Sequence, residues 1–181
     1  MLPTTYNISK NNGDKLLTAR MTEKEYNECV SLYADRVYRF IVKNLRHEED
    51  ARDVVQTAFE KLWINRESVD SERSKSYLFT VAYNQMIDHI RKNKRIKLQE
   101  DFAANTKVTV QNPHNINKIL NEALNRLSET QRSLVLLKDY EGYSYDEIAT
   151  ITSLSESQVK VYLHRARIQL KNYLVKPENV I

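Results

Sequence analysis

Glycine occurs only twice in this chain, at positions 13 and 142, and proline three times. Few residues are therefore available to punctuate tight turns. A sandwich or barrel of many short strands needs Gly, Asn and Pro at its turns, so an all-β architecture is nearly excluded. The Gly-rich turn of a doubly wound nucleotide-binding sheet is missing as well. Leu, Lys, Glu, Arg and Ala, by contrast, are frequent and favour helix. With 181 residues, 41% of them hydrophobic, the chain can build one ordinary core or two small ones. The expected fold class is all-α.

Apolar periodicity locates the helices. Tyr26, Val30, Tyr33, Val37, Phe40 and Ile41 fall on one helical face. A second helix is expected from the acidic stretch at 47–50 onward, with Val54, Val55, Ala58, Phe59, Leu62 and Trp63 as its apolar positions. Acidic residues in a first turn suit the helix dipole. Residues 65–76 are polar and unpatterned and read as a loop. A third helix follows with Leu78, Val81, Ala82, Met86, Ile87 and Ile90 inward, and it runs into the basic stretch 91–95. The pattern lapses over 98–116, where Pro113 and several Asn suggest a flexible linker. Helical spacing resumes with Ile119, Leu120, Ala123, Leu124 and Leu127. The architecture expected is two small helical domains joined by that linker.

Three capping boxes of the form S-x-x-E/Q then follow closely, at Ser128/Gln131, Ser144/Glu147 and Ser155/Gln158. Each leads into an apolar-patterned run, and together they fix three helix starts. Gly142 falls where the helix begun at Ser128 should end. The last two boxes bracket two short helices separated by residues 152–154, which is helix-turn-helix spacing. Ala149 is small where the helices must approach, Ser153 sits in the turn where Gly is commonest, and Val159 packs back. Along the second of these helices, Val159, Leu163, Ala166, Leu170 and Leu174 form the inward stripe. Ser157, Lys160, Val161, His164, Arg165 and Arg167 point elsewhere. An apolar stripe opposite a basic-polar face suits a helix in the DNA major groove. Arg and Lys can read guanine edges or hold phosphates, and Val161 can meet a thymine methyl.

Charge supports the same reading. Residues 21–65 carry −2, 66–99 carry +4, 121–154 carry −3 and 155–181 carry +3. Two basic segments far apart suggest a polyanion gripped at two places. In the first, Tyr77, Phe79 and Tyr83 flank Asn84 and precede the cations. Aromatics can stack on unpaired bases, or can simply be core, and the pattern leaves both open. The single Cys29 forms no internal disulfide, which fits a reducing compartment. The first residues lack the apolar stretch of a signal peptide, and no apolar run approaches the ~20 residues that span a bilayer. A cytoplasmic, nucleoid-associated chain with no membrane insertion is expected. His47, His89, His114 and His164 form no visible site with Cys29, and no phosphate-cradling loop exists. No cofactor, metal or enzymatic site is expected.

Three motifs then carry a family resemblance. Residues 50–63 (DARDVVQTAFEKLW) resemble the core-polymerase-binding helix of bacterial RNA polymerase sigma factors. Residues 76–92 (SYLFTVAYNQMIDHIRK) resemble their promoter-melting helix. Residues 127–132 (LSETQR), 143–149 (YSYDEIA) and 159–167 (VKVYLHRAR) resemble their domain for the minus-thirty-five element. Size and layout match the extracytoplasmic-function (ECF) group, and the resemblance spans roughly residues 22–175.

The resemblance implies an extension over 1–21, sigma region 2 over 22–97, a linker over 98–116, sigma region 4 over 117–175 and a tail over 176–181. It implies that Asp53 and Gln56 bind the polymerase clamp, with Thr57 standing where the family usually has Glu. Phe59 and Trp63 are assigned to the core. For the minus-ten element it implies the loop Val69, Asp70, Ser71, Glu72, Arg73 and Ser74 as a pocket for a flipped base. Asn84 would be the base reader, and Arg91, Lys92, Lys94 and Arg95 the phosphate contacts. Tyr83 replaces an Arg common in the family. Lys160, Val161, His164, Arg165 and Arg167 align with the groove-facing positions for the minus-thirty-five element. Apolar residues over 124–137 would pack their domain and meet the polymerase flap. Core RNA polymerase, promoter DNA and an anti-sigma factor are the partners implied. A sigma mimic that occupies an anti-sigma factor need not keep cations at both DNA faces, whereas this chain does. A repressor with a helix-turn-helix would not need the polymerase-docking motif.

Overall fold

The computed structural model describes residues 20–100 and 116–175. The predicted linker, most of the extension and the tail lie outside the described residues. Among the described residues there are seven α-helices and no strand: α1 (Glu23–Leu45), α2 (Glu48–Asn65), α3 (Ser74–Glu100), α4 (Ile116–Asn125), α5 (Glu129–Val135), α6 (Tyr145–Thr152) and α7 (Glu156–Leu174). No helix among them is long and apolar enough to cross a membrane.

The helix starts follow from their caps. Ser128, Ser144 and Ser155 each accept from the backbone N–H three residues on, while Gln131, Glu147 and Gln158 reach back to the serine amides. A fourth capping box, Thr22 with Glu25, starts α1 in the same way. His47 caps α2, its Nδ1 accepting from the Asp50 N–H at 3.3 Å. The helix ends follow from left-handed residues. α5 widens into a single π-type turn over Leu136–Tyr140 and stops at Gly142, whose φ of +79° needs no Cβ accommodation. The Tyr143 N–H then bonds back to the Leu137 carbonyl at 3.0 Å. Ser153 closes α6 at φ +57°, as the helix-turn-helix spacing requires. Arg46 closes α1 in the same left-handed region.

One prediction is corrected here. Residues 65–76 are not an irregular loop: two 3-10 turns, Arg66–Ser68 and Ser71–Arg73, lead directly into α3 at Ser74. Short side-chain bonds organise them. Asp70 accepts from the Glu72 N–H at 3.0 Å, and Ser68 Oγ donates to the Asn65 carbonyl at 2.8 Å.

Helices α1, α2 and α3 pack around Val37, Phe40, Ile41, Ala51, Leu62, Leu78 and Met86. α4 to α7 pack around Leu134, Leu137, Ile148, Ile151, Val159 and Leu163. Each half packs its own core, as the two-domain expectation has it, and the two cores meet along one boundary. Phe40, Phe79 and Tyr143 form an aromatic series across the boundary, with centroid separations of 5.7 and 5.3 Å. Polar contacts cross it too. Arg36 of α1 holds the buried carboxylate of Glu141 at 2.7 and 2.8 Å. Ser133 Oγ donates to Asn44 Oδ1 at 2.8 Å.

Arg132 is the most consequential of the buried polar residues. Its guanidinium, 4% exposed, donates to the carbonyls of Leu124, Asn44 and Leu127 at 2.9, 3.0 and 3.2 Å. It thus sits between the negative ends of α4 and α1, one helix from each half. Burial and the nearby Arg46 push its pKa down to about 10, so it stays charged at neutral pH. The junction also carries costs. Tyr143 Oη and Arg39 Nε are buried with no hydrogen-bond partner among the described residues. Such atoms cost about 1–3 kcal/mol each, and a buried ion pair roughly breaks even.

Candidate nucleic-acid interface

α7 presents one face to solvent because the other is consumed by the core. Val159, Leu163 and Ala166 are at most 1% exposed. Ser157, Lys160, Val161, His164, Arg165 and Arg167, all predicted to face DNA, are all exposed. Lys160 bonds Glu156 Oε1 at 2.6 Å, and that bond raises its pKa. Arg167 is committed within its own half, bonding Asp139 at 2.5 Å, which raises its pKa in turn. Both remain cations, but each has an acidic neighbour to leave before it grips a phosphate. The helix N-terminus, with Ser157 in its first turn, is the end a major groove would meet.

α3 is divided differently. Asn84, Arg91, Lys92, Lys94 and Arg95 are exposed. Arg91 lies 3.7 Å from Asp88, and Lys94 bonds Glu129 of α5 at 3.0 Å, across the boundary between halves. The aromatic question resolves toward core: Phe79 is fully buried and Tyr83 is 7% exposed, with burial raising the phenol pKa. Tyr77 is half-buried. In the preceding turns, Glu72 and Arg73 are exposed and Asp70 and Ser71 half-buried, whereas Val69 and Ser74 are each 6% exposed. Ser74 Oγ donates to the Ser71 carbonyl at 2.7 Å. The loop's two ends are thus packed in, and only its middle is presented.

On α2, Asp53 and Gln56 are exposed and Thr57 is half-buried. Asp53 and Thr57 line a groove with Gln85, Asp88, His89 and Lys92 of α3, so the expected docking residues and the expected DNA helix share an edge. Phe59 is half-buried, and Trp63 is 37% exposed rather than core. Trp63 lies edge-on to Tyr26 at 4.9 Å, with the Arg66 guanidinium 4.1 Å over its ring. Residues over 124–137 expected to meet the flap are covered here: Leu124, Leu134, Leu136 and Leu137 are at most 6% exposed.

Periodicity could not find two features. Arg132 belongs to a recognised motif, but nothing local marks it as buried. His47 and His89 converge on Asp50, at 3.3 and 3.0 Å, although they are far apart in sequence. Among the described residues no group of three His, Cys, Asp or Glu could hold a metal ion.

Comparison with known proteins covers both halves. Residues 29–96 match the model of "Sigma-70 region 2" and residues 117–170 that of "Sigma-70, region 4". The ECF RNA polymerase sigma factor SigM of Bacillus subtilis (strain 168) is 30% identical over 149 residues, covering 80% of this chain and 91% of SigM. RNA polymerase sigma factor SigV of the same organism is 29% identical, covering 78% and 89%. Among solved structures, the sigma factor RpoE in complex with the anti-sigma factor NepR from Bartonella quintana superposes with a TM-score of 0.73 at 25% identity. It covers 85% of this chain and 99% of that one. CnrH, solved in complex with the cytosolic domain of CnrY, shares the fold at a TM-score of 0.62 and 22% identity. These likenesses run through both halves in the same order, and the chain therefore belongs to the ECF group of sigma-70 family RNA polymerase sigma factors, which recognise promoters for transcription initiation.

Proposed function

We propose that the chain docks on core RNA polymerase through Asp53, Gln56 and Thr57 of α2, reads the minus-thirty-five element with α7, and opens the minus-ten element with α3. The observation that carries this is the pairing, on one chain, of two exposed cation-bearing helix faces with an exposed acidic docking edge beside one of them. On α7, Lys160, Arg165 and Arg167 supply charge, and Val161 and His164 lie where base edges would come. On α3, Asn84 supplies a bidentate amide, while Arg91, Lys92, Lys94 and Arg95 hold phosphates. Extruding a base costs a few kcal/mol. Phe79 and Tyr83 are buried, so the return comes from Asn84, from those cations and from the presented loop residues Asp70, Ser71, Glu72 and Arg73. Val69 and Ser74 anchor that loop.

The domain division proposed is 22–97 and 117–175, a reading supported by the packing of α1–α3 as one group and α4–α7 as another. The chain acts as a polymerase subunit rather than as an enzyme, in the cytoplasm and on the nucleoid. The similar sigma factor RpoE from Bartonella quintana was solved with the anti-sigma factor NepR, and an anti-sigma factor is the partner proposed to restrain this chain. A titration against core polymerase tests the docking claim. Asp53→Lys should weaken core binding at least tenfold while leaving the melting temperature and affinity for a duplex carrying the upstream element unchanged. Core affinity equal to that of the unaltered chain would contradict it.

A further inference from the structure

The loop that presents Asp70, Ser71, Glu72 and Arg73 is built on two 3-10 turns of three residues each. Turns this short have few internal bonds and poor hydrogen-bond geometry, so they keep one shape only where something outside holds them. Within the loop, the Val69 N–H donates to the Arg66 carbonyl at 3.3 Å and the Arg73 N–H to the Asp70 carbonyl at 3.0 Å. The Glu72 N–H donates to the Asp70 carboxylate at 3.0 Å. Asp70 therefore sets the direction of Glu72 and Arg73, the two residues of the loop's middle that are exposed.

The outside support comes from the point where the chain enters α1. Arg20 makes an antiparallel backbone pairing with Asp70. The Met21 N–H donates to the Arg66 carbonyl at 3.1 Å, so Arg66 accepts one bond from the loop and one from the chain entry. The Met21 side chain is only 2% exposed and belongs to the same core as Val69. Thr22 and Glu25 then fix the first turn of α1 with their capping box. The Thr22 hydrogen bonds hold the Glu25 carboxyl below its ordinary range, and Ser71 of the loop adds a smaller hydrogen bond to the same effect. Arg20 and Met21 fell at the end of the expected extension, yet they brace both 3-10 turns.

A reader discriminates among bases only as well as its geometry is fixed, because a loop free to rearrange can offer comparable partners to several bases. We propose that the chain entry belongs to the minus-ten reader. Met21 is a positioning residue which, with the Arg20–Asp70 pairing, holds the 3-10 turns in the one shape that selects a base. This rests on the reading of the loop as the pocket for an opened base. Neither Arg20 nor Met21 belongs to the proposed DNA-contacting or polymerase-docking residues.

The test assembles the full-length chain with core polymerase. It uses four promoter templates that differ only at one minus-ten position, each with a fluorescent base beside it. The quantity read is the ratio of opening rates between the best and the worst template. A lower folded fraction, or a lost phosphate contact, slows all four templates alike and cancels in that ratio. Met21→Ala should lower the ratio about fivefold, while Met21→Leu keeps it. Affinity for core polymerase and for the upstream duplex should stay unchanged. Arg20→Asp alters an exposed site and sets two carboxylates opposite each other across the pairing. It should lower the ratio about two- to threefold and speed hydrogen exchange at the Glu72 and Arg73 amides, and Arg20→Lys should do neither. An unchanged ratio in folded Met21→Ala overturns the proposal. Should that variant not fold, an unchanged ratio in Arg20→Asp overturns it. An equal loss of preference at the minus-thirty-five element overturns it as well. An unaltered holoenzyme that opens all four templates equally, at every minus-ten position tried, defeats instead the pocket reading on which the proposal rests.

Discussion

Helix α7 and helix α3 both end as exposed basic faces, but the chain sets them in place by different means. α7 is positioned by neighbours close in sequence: the Ser155 cap, the left-handed Ser153 and the Val159 stripe. All six of its expected DNA-facing residues are exposed, and the acidic partners of Lys160 and Arg167 lie within the same half. α3 is positioned by residues distant in sequence, and its surface is shared among several tasks. Phe79 and Tyr83 go to the core, Lys94 goes to α5, and Val69 and Ser74 in the turns before it are packed in. A reader built from local rules can be reconstructed residue by residue. A reader built from tertiary packing cannot.

The largest expected effect tests whether the halves are as coupled as this arrangement implies. Arg132→Met removes the donor from three buried carbonyls and should cost about 3–5 kcal/mol in urea unfolding. Hydrogen exchange should speed up in α1 as well as in α4 and α5, because Arg132 caps both helix ends. Loss of protection confined to the C-terminal half would break the coupling.

Next comes the difference between the two readers. Arg165→Ala should weaken binding to a minus-thirty-five duplex by about 1–3 kcal/mol, roughly five- to 150-fold, and relax sequence preference there. Asn84→Ala should leave that duplex affinity unchanged and slow strand opening, followed by a fluorescent base in the minus-ten element. Effects on both elements from either variant would show the readers to be one unit.

Smaller effects sharpen the local side of the comparison. Ser155→Ala should cost about 1 kcal/mol by removing the cap of α7, measured by thermal unfolding. Ser153→Gly should gain about 0.5–1 kcal/mol, since glycine enters the left-handed region without a Cβ penalty. Gly142→Ala should lose a similar amount. Nothing lies within 4 Å of an added Cβ, so the loss would come from backbone strain alone.

What was legible in the sequence follows the same division. The caps at Ser128, Ser144 and Ser155, the stop at Gly142 and the buried stripe of α7 all rest on contacts within a few residues, and each stands as expected. The 3-10 turns before α3 were not legible, because their order comes from short polar bonds that leave no apolar period. Trp63 was assigned to the core from its spacing, yet it lies at the rim under Arg66, where spacing gives no depth. Arg132, Asn44 and the Arg36–Glu141 pair join residues about 90 to 105 positions apart, so no window of sequence could associate them.

The most direct test of the central claim, that one chain reads two promoter elements for polymerase, is run-off transcription with core enzyme. The template library should be independently randomised over the upstream and downstream elements. Sequenced transcripts should share two motifs at fixed spacing, with Arg165→Ala degrading only the upstream motif and Asn84→Ala only the downstream one. Core binding that yields no transcripts, or transcripts with a single motif, would contradict the account.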